Sequence, residues 1–215
     1  MMHQTYAVLG LGRYGMAVAT ELLKNGAEVL AVDVDEAAVN AAATELPLCK
    51  CADVTDREVI RRLGIANMDV VIVAMAKHLE ASVLATMLCK EAGVRTVIAK
   101  CSDEMHCKIL SRVGADKVVF PENESGVRLA KNLLSAGFLD IIDLSGEVSM
   151  IELGVRPEWE GRSLSQLDLR RKYSINVVAI KREGEVYIDI DPSEPLEKEM
   201  SLIVIANRTK LAKLK

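Results

Sequence analysis

The segment Gly10-Leu-Gly-Arg-Tyr-Gly15 constrains the fold more than any other part of this sequence. An apolar run ends at its first glycine, and a helical pattern covers Tyr14 to Lys24. A second apolar run, Glu28 to Asp33, ends in an acid 23 positions after Gly10. A strand, a glycine loop, a helix and a second strand closed by an acid form the pattern that holds the pyrophosphate of a nucleotide. The sequence therefore predicts a nucleotide site near residue 10.

Each glycine of this loop has a separate expected role. Gly10 makes the tight turn, Gly12 lets the backbone approach a pyrophosphate, and Gly15 allows close helix–strand packing. The phosphates would lie on the amides at the start of the helix. Asp33 would accept hydrogen bonds from ribose hydroxyls, and its charge would repel the 2′-phosphate of NADP. Arg13 departs from the usual small residue of the loop, and its guanidinium could bind phosphates or could remain solvated.

The first two-thirds of the chain alternate apolar runs with helical patterns. Strands are predicted at 6–10, 28–33, 46–50, 69–74, 95–100 and 117–120, and helices at 14–24, 36–45, 56–63, 79–92, 103–113 and 124–134. Runs this apolar are buried on both faces, as in a parallel sheet covered by helices. We expect an α/β fold with a doubly wound, Rossmann-type parallel sheet.

A different pattern begins after residue 146. Strands are predicted at 149–154, 175–181, 186–190 and 201–206, with a helix at 164–172. We therefore expect three parts: a nucleotide-binding domain over 1–122, a crossover helix and linker over 123–146 broken at Ser135-Ala-Gly137, and a small α+β domain over 147–215. The helix over 124–134 carries Val127, Leu129, Ala130, Leu133 and Leu134, which a second subunit should cover.

Composition excludes several classes of protein. The chain has 215 residues, a formal net charge of -4 and 3% aromatic residues, which argues against nucleic-acid binding. Its five cysteines are odd in number, so we expect reduced thiols in a cytoplasmic protein. No apolar run is long enough to span a membrane, which leaves docking onto a membrane protein open.

The sequence offers little for catalysis. All three histidines, His3, His78 and His106, precede the second domain, which also contains no cysteine. A dehydrogenase would need an acid–base group beside its substrate. We therefore expect binding rather than turnover and no enzyme activity. A small NAD-dependent oxidoreductase and a free-standing redox sensor remain alternatives.

The sequence resembles the RCK (KTN) family of regulators of potassium conductance along essentially its whole length. The motifs that carry the resemblance are Val8-Leu-Gly-Leu-Gly-Arg-Tyr-Gly15, Ala31-Val-Asp-Val-Asp35, Ala52-Asp-Val-Thr55, Val71-Ile-Val-Ala74, Gly114-Ala-Asp116, Phe120-Pro-Glu122 and, in the second domain, Gly161 to Arg170 and Tyr173 to Ile180. The resemblance implies ATP, ADP or NAD(H) at the glycine loop.

The resemblance also implies roles for individual residues. Arg13 would contact the terminal phosphates, with Tyr14 beside it in the loop. Asp33, Val34 and Asp35 would border the ribose, and Asp53 and Val54 the adenine. Met75, Ala76 and Lys77 in one turn, with Lys100, Cys101, Ser102 and His106, would border the phosphates. Glu122 would approach the phosphates across a subunit interface, with Mg²⁺ or Ca²⁺ between the two anions.

Simpler interpretations of these residues stay open. Glu122 could be an acid favoured by a helix N-terminus, Lys100 a solvated strand end, and His106 an ordinary core or surface histidine.

The resemblance further implies partners. We expect a homo-oligomer, from a dimer to a ring of eight, bound to a membrane-embedded potassium channel or transporter. The protein would then be cytoplasmic and peripheral at the inner membrane. Arg170, Asn176, Val177 and Pro192 fall where some relatives bind cyclic di-AMP between two copies, although a plain dimerisation interface is the simpler interpretation.

Overall fold

The computed structural model describes residues 4–134, 138–145 and 147–207, in two units that divide between Glu122 and Asn123. The first unit contains strands β1 (Thr5–Leu9), β2 (Glu28–Asp33), β3 (Cys49–Cys51), β4 (Val70–Val73), β5 (Thr96–Lys100) and β6 (Lys117–Val119). Its helices are α1 (Arg13–Lys24), α2 (Glu36–Ala42), α3 (Arg57–Arg62), α4 (Leu79–Glu91) and α5 (Glu104–Arg112), with a 3₁₀ turn at Ile65–Asn67. Helix α6 (Pro121–Leu134) leads into the second unit.

The six strands form one parallel sheet in the order β3-β2-β1-β4-β5-β6. Alternate residues of β1 enter the two buried layers, with Ala7 and Leu9 on one face and Val8 on the other. All three side chains are fully buried. This arrangement is the predicted Rossmann-type fold, and its strand order reverses between β1 and β4. Ligands of such sheets bind outside the carboxyl ends of the strands at this reversal.

Two element boundaries in the first unit differ from the predicted ones. Strand β3 lies at Cys49–Cys51 instead of 46–50, because Leu46 is drawn into the core and Pro47 has no amide to donate to a ladder. Helix α6 begins at Pro121 instead of 124, because proline is well suited to a first helical position.

The second unit contains an antiparallel sheet in the order β10-β9-β11-β8-β7. Its elements are β7 (Phe138–Asp143), β8 (Val148–Gly154), α7 (Leu164–Leu167), α8 (Leu169–Tyr173), β9 (Ile175–Arg182), β10 (Glu185–Tyr187) and β11 (Ser201–Asn207). The sequence did not predict β7, which lies inside the segment predicted to be a linker. Its Ile141 pairs with Ile151 of β8. The predicted break at Ser135-Ala-Gly137 lies outside the described residues.

The helix predicted at 164–172 is two short helices. Asp168 has a φ of 47°, in the left-handed region, so the chain turns there before α8 begins. Ser163 and Gln166 form a reciprocal capping box that fixes the start of α7. One face of the sheet buries Leu153, Leu202 and further aliphatic residues, and Trp159 packs in the same cluster.

The cysteines correct one prediction. The prediction of five reduced thiols is wrong, because the structure joins Cys101 to Cys107 by a disulfide, with their Cα atoms 5.1 Å apart. The bond is possible because only residues 101–103 separate the end of β5 from the start of α5, so the first turn of α5 lies close to the residue that follows the strand. Cys49, Cys51 and Cys89 are free thiols, and burial raises the pKa of Cys89 to about 12.

Candidate functional site

A cleft of about 1400 Å³ lies in the first unit, at the carboxyl ends of the strands where the sheet order reverses. Most of the residues predicted to form the site line it: Gly10, Gly12, Arg13, Tyr14, Asp33, Val34, Asp35, Asp53, Val54, Met75, Ala76, Lys77, Lys100 and Glu122. Four predicted residues do not line it, namely Gly15, Cys101, Ser102 and His106.

The three glycines of the loop differ in what surrounds them. Gly10 has a φ of +102°, and a Cβ there would stand 3.2 Å from the backbone of Ala74 and Met75. A Cβ on Gly15 would stand 1.9 Å from the carbonyl oxygen of Gly10. Gly12 is different, because no atom lies within 4 Å of the place where its Cβ would stand. The first and third glycines are therefore required by packing, whereas the protein itself leaves the space beside Gly12 open.

Helix α1 begins at this open position. Gly12 is the N-cap residue, in extended conformation, and it has no side chain that could cap the helix. The first amides of a helix have no partner within the helix, and they carry its partial positive charge. An anion in the cleft beside Gly12 would therefore meet an uncapped helix start.

Asp33 and Asp35 organise the acidic side of the cleft. The Asp33 carboxylate accepts hydrogen bonds from the backbone amides of Leu11 (2.6 Å) and Asp35 (2.9 Å). Asp35 caps α2 by accepting from the amide of Ala37. A carboxylate oxygen has more than one acceptor site, so Asp33 can hold the glycine loop and still accept from a ribose hydroxyl.

Asp53 forms a third acidic position, in the loop after β3. It accepts hydrogen bonds from the hydroxyl and the amide of Thr55, and these bonds lower the pKa of the carboxyl. The neighbouring Val54 is buried and presents an apolar surface to the cleft wall. An apolar wall beside fixed carboxylates suits a nucleoside, whose base is flat and whose ribose donates hydrogen bonds.

The opposite side of the cleft carries the cations Arg13, Lys77 and Lys100. The side chain of Lys100 is only 14% exposed; its Nζ lies 2.5 Å from a Glu122 carboxylate oxygen and 5.4 Å from the centre of the Tyr14 ring. The bond from Lys100 is the main cause of the lowered pKa of Glu122, and Arg13 adds a smaller effect. Glu122 therefore lies within the field of two of the three cations.

His106 lies beneath the cleft wall instead of in it. The residue is buried, and its Nε2 lies 2.7 Å from the Ser82 hydroxyl oxygen. Its Nδ1 accepts from the backbone amide of Ser102 at 3.3 Å. Burial lowers the pKa of His106, with Asp103 opposing the shift. A neutral ring with its proton on Nε2 satisfies both contacts, so His106 joins α4 to the loop after β5.

Sequence reasoning missed the start of α4. His78, Leu79, Glu80, Ala81 and Leu84 all line the cleft. The signal that could have found them is positional: β4 is the neighbour of β1 at the reversal of strand order, so the loop after it must face the ligand side.

The arrangement suits an anionic ligand with a nucleoside at one end. Acids lie at the end of β2 and after β3, and cations lie at the glycine loop, after β4 and at the end of β5. Within the described residues there is no group of three or more His, Cys, Asp or Glu that could hold a metal ion by itself.

The four residues that fall where some relatives bind cyclic di-AMP lie in the second unit. Arg170 is exposed on α8, Asn176 and Val177 are the second and third residues of β9, and Pro192 lies in an exposed loop, where its carbonyl accepts from the amide of Ser165.

None of the helices in the described part of the chain has both the length and the apolar character needed to cross a membrane.

Known proteins resemble the chain along nearly its whole length. A TrkA-N domain model matches residues 6–121, and a TrkA-C domain model matches residues 148–215.

Two of the curated relatives are Ktr system potassium uptake proteins of one organism. The Ktr system potassium uptake protein C of Bacillus subtilis (strain 168) is 40% identical over 99% of this chain and 96% of its own length. The Ktr system potassium uptake protein A of the same organism is 34% identical over 96% of this chain and 93% of its own length.

Solved structures share the fold. The GsuK RCK domain has a TM-score of 0.53 at 22% identity, covering 100% of this chain and 46% of that one. The GsuK channel bound to NAD has a TM-score of 0.53 at 20% identity, covering 99% and 38%. Because the two domain models together match most of the chain and the identity is 40% over nearly its full length, the chain belongs to the TrkA-N/TrkA-C family of Ktr and Trk potassium uptake proteins.

Proposed function

We propose that this protein is the nucleotide-sensing regulatory subunit of a potassium transporter, with ATP and ADP competing for the cleft of the first unit. The observation that carries the proposal is the open space beside Gly12, at an uncapped helix start, between acids on one side and cations on the other. Packing does not require a glycine there, whereas a phosphate lying against the backbone does.

The charges assign the ends of the ligand. Asp33, Asp35 and Asp53 would face the nucleoside, and Arg13, Lys77 and Lys100 would face the phosphates. NAD, which the GsuK channel binds, would place its second nucleotide near the start of α4. We favour ATP and ADP because three cations around one end of the cleft suit a polyphosphate better than a neutral nicotinamide riboside.

Regulation requires that ATP and ADP stabilise different states, because only differential affinity shifts an equilibrium. The γ-phosphate is the difference between the two nucleotides. Arg13 is the cation that the glycine loop places beside them, so we assign the reading of the γ-phosphate to Arg13. When ATP binds, Lys100 would leave its ion pair with Glu122 and pair with the phosphate instead. Glu122 would then approach the same phosphate with a divalent cation between the two anions.

The test is calorimetric titration of the full chain with ATP and ADP. Arg13→Ala should bring the two affinities together, since it removes the group that distinguishes them. Arg57→Ala is the matched control: Arg57 is an exposed arginine paired with Glu91, and it does not line the cleft. Wild-type protein that binds neither nucleotide would refute the proposed function. An Arg13→Ala variant that still separates ATP from ADP as the wild type does would move the role to Lys77 or Lys100.

The link to transport has its own experiment. Potassium flux into vesicles that hold the membrane subunit should differ between added protein with ATP and added protein with ADP. Flux that is the same with either nucleotide, while both bind, would show that binding does not regulate transport.

A small NAD-dependent oxidoreductase is the alternative. It predicts hydride transfer, which the absorbance of NADH would reveal during incubation with candidate carbonyl substrates. The positions of His106, buried against Ser82, and of Lys100, paired with Glu122, leave neither group poised as an acid–base catalyst in this cleft.

A further inference from the structure

The disulfide between Cys101 and Cys107 lies next to the phosphate end of the cleft. Cys101 directly follows Lys100, and its amide bonds to the carbonyl of Val119 in β6, so it belongs to the end of the sheet. Cys107 belongs to α5. The bond therefore closes a short loop, residues 102–106, and ties the start of α5 to the strand end that carries Lys100.

The two cysteines differ in exposure. Cys101 is fully buried, whereas Cys107 is only partly buried and packs at the edge of the core. In thiol–disulfide exchange, the sulfur that can be reached decides where the attack occurs. Cys107 is thus the residue that an external thiol or disulfide reaches, and Cys101 is the buried partner that completes the exchange. The other described cysteines, Cys49, Cys51 and Cys89, have no such partner among the described residues.

The closed loop is also joined to the wall of the cleft. Its Ser102 amide bonds to His106, and His106 contacts Ser82 on α4, the helix whose first residues line the cleft. Opening the Cys101–Cys107 bond would remove the covalent link across this loop and leave it held by hydrogen bonds, among them the Asp103 cap and the His106 contacts. A more mobile loop would in turn hold both Lys100 and the start of α4 less firmly.

We propose that Cys101 and Cys107 form a reversible thiol–disulfide site that takes low-molecular-weight disulfides as its oxidant and sets the order of the loop beside the phosphate end of the cleft. In oxidation, the Cys107 thiolate attacks one sulfur of the disulfide RSSR, which breaks the S–S bond and releases RS⁻. The Cys101 thiolate then attacks the Cys107 sulfur and releases the second RS⁻. The protons of the two cysteine thiols end on two RSH molecules, and two electrons pass from the protein to RSSR. Reduction reverses these steps.

The sequence makes the bond easy to measure. Trypsin cleaves after Lys100 and Lys108, so one peptide, residues 101–108, contains both cysteines and no other. The full chain is equilibrated with glutathione and glutathione disulfide at a series of ratios, alkylated and digested. We expect the peptide to change from two alkyl labels to an unlabelled form lacking two hydrogens as the oxidant rises. Two labels at every ratio, including excess glutathione disulfide, would overturn the proposal.

Amide hydrogen exchange tests the structural consequence. Residues 102–106 should exchange faster in reduced wild type than in the oxidised form. Cys107→Ser should exchange fast under both conditions, and the control Cys49→Ser should behave like wild type. If the disulfide is present in the oxidised protein but residues 102–106 exchange at the same rate in both forms, the proposal is also overturned, because the bond would then not set the order of the loop.

The expected effect of the disulfide on nucleotide binding rests on the proposed function. Reduction should raise the Kd for ATP, because a looser Lys100 and α4 start are less preorganised, and Cys107→Ser should lose the difference between the two states. Equal Kd values in both states, with ATP bound, would overturn the link between the bond and the cleft. Protein that binds no ATP in either state would refute the proposed function instead, while the peptide masses and exchange rates still decide the redox site.

Discussion

Asp33 holds the glycine loop in place: its carboxylate accepts a hydrogen bond of 2.6 Å from the backbone amide of Leu11. The end of β2 is thereby fixed to the loop that follows β1. One carboxylate thus positions the phosphate-binding backbone and can also receive the ribose, so the two ends of the proposed site are coupled through a single side chain.

The first prediction concerns this carboxylate. Asp33→Asn should weaken ATP or NADH binding by about 1–3 kcal/mol, because an amide has one oxygen where the carboxylate has two and leaves a partner unsatisfied. It should also reduce the discrimination against NADPH, since the negative charge that repels a 2′-phosphate is removed. Titration with NADH and NADPH measures both effects. Equal binding of the two cofactors by the wild type would contradict the ribose assignment.

A pair of glycine substitutions separates packing from binding. Gly15→Ala should lower the free energy of unfolding by about 1–3 kcal/mol or more, because its Cβ would collide with the carbonyl oxygen of Gly10. Gly12→Ala should leave the fold nearly as stable, since the space is open, yet it should weaken nucleotide binding. Chemical denaturation and nucleotide titration of both variants provide the comparison. A Gly12→Ala variant with wild-type affinity would show that no ligand approaches this backbone.

Glu122 should determine any effect of divalent cations. Glu122→Gln should retain ATP binding, because the phosphate-binding backbone and cations are unchanged, but it should lose any increase in ATP affinity caused by Mg²⁺ or Ca²⁺. Titrations with and without the cation, on wild type and variant, measure this. Glu124→Gln, at an exposed acid further along α6, is the control. If Glu122→Gln kept the full cation effect, the metal would bind elsewhere.

His106 should make stability depend on pH. Its pKa in the folded chain is lowered by burial, so the unfolded chain binds a proton more readily. The stability contributed by the neutral ring is fully present above the ordinary histidine pKa of about 6.5 and is lost as the pH falls from there towards the lowered value. Denaturation midpoints across this range should decrease. His106→Gln should remove the decrease, whereas His78→Gln, at an exposed position, should keep it.

Helix α6 should be covered by a second copy of the chain. Leu129 and Leu133 lie four residues apart on one helical face, and they are 60% and 78% exposed. Leu133→Arg should shift the mass measured by light scattering towards the monomer, while Leu48→Arg, at another exposed leucine, should not. A wild-type monomer at micromolar concentration would contradict the proposed homo-oligomer.

The local sequence determined the architecture of the first unit and one side of its cleft. The alternation of apolar runs and helical patterns, the glycine spacing and Asp33 report which residues are buried or turned, and these are local properties. The local pattern also located β8, β9 and β11 of the second unit to within one residue at each end, whereas β10 ends at Tyr187 instead of residue 190. Strand β7 was not predicted, because it is defined by its pairing with β8 and not by a distinct local pattern.

Only the tertiary structure decided which distant side chains meet. Lys100 and Glu122 are 22 positions apart, yet they form an ion pair. They meet because β5 ends at the edge of the sheet where α6 begins. His106 reaches Ser82 because α4 and α5 pack together, so a residue expected to border the phosphates forms a buried link between two helices. Cys101 meets Cys107 across the short turn that leads from β5 into α5. Such contacts depend on the paths of the connecting loops, and residue patterns along one segment carry no information about those paths.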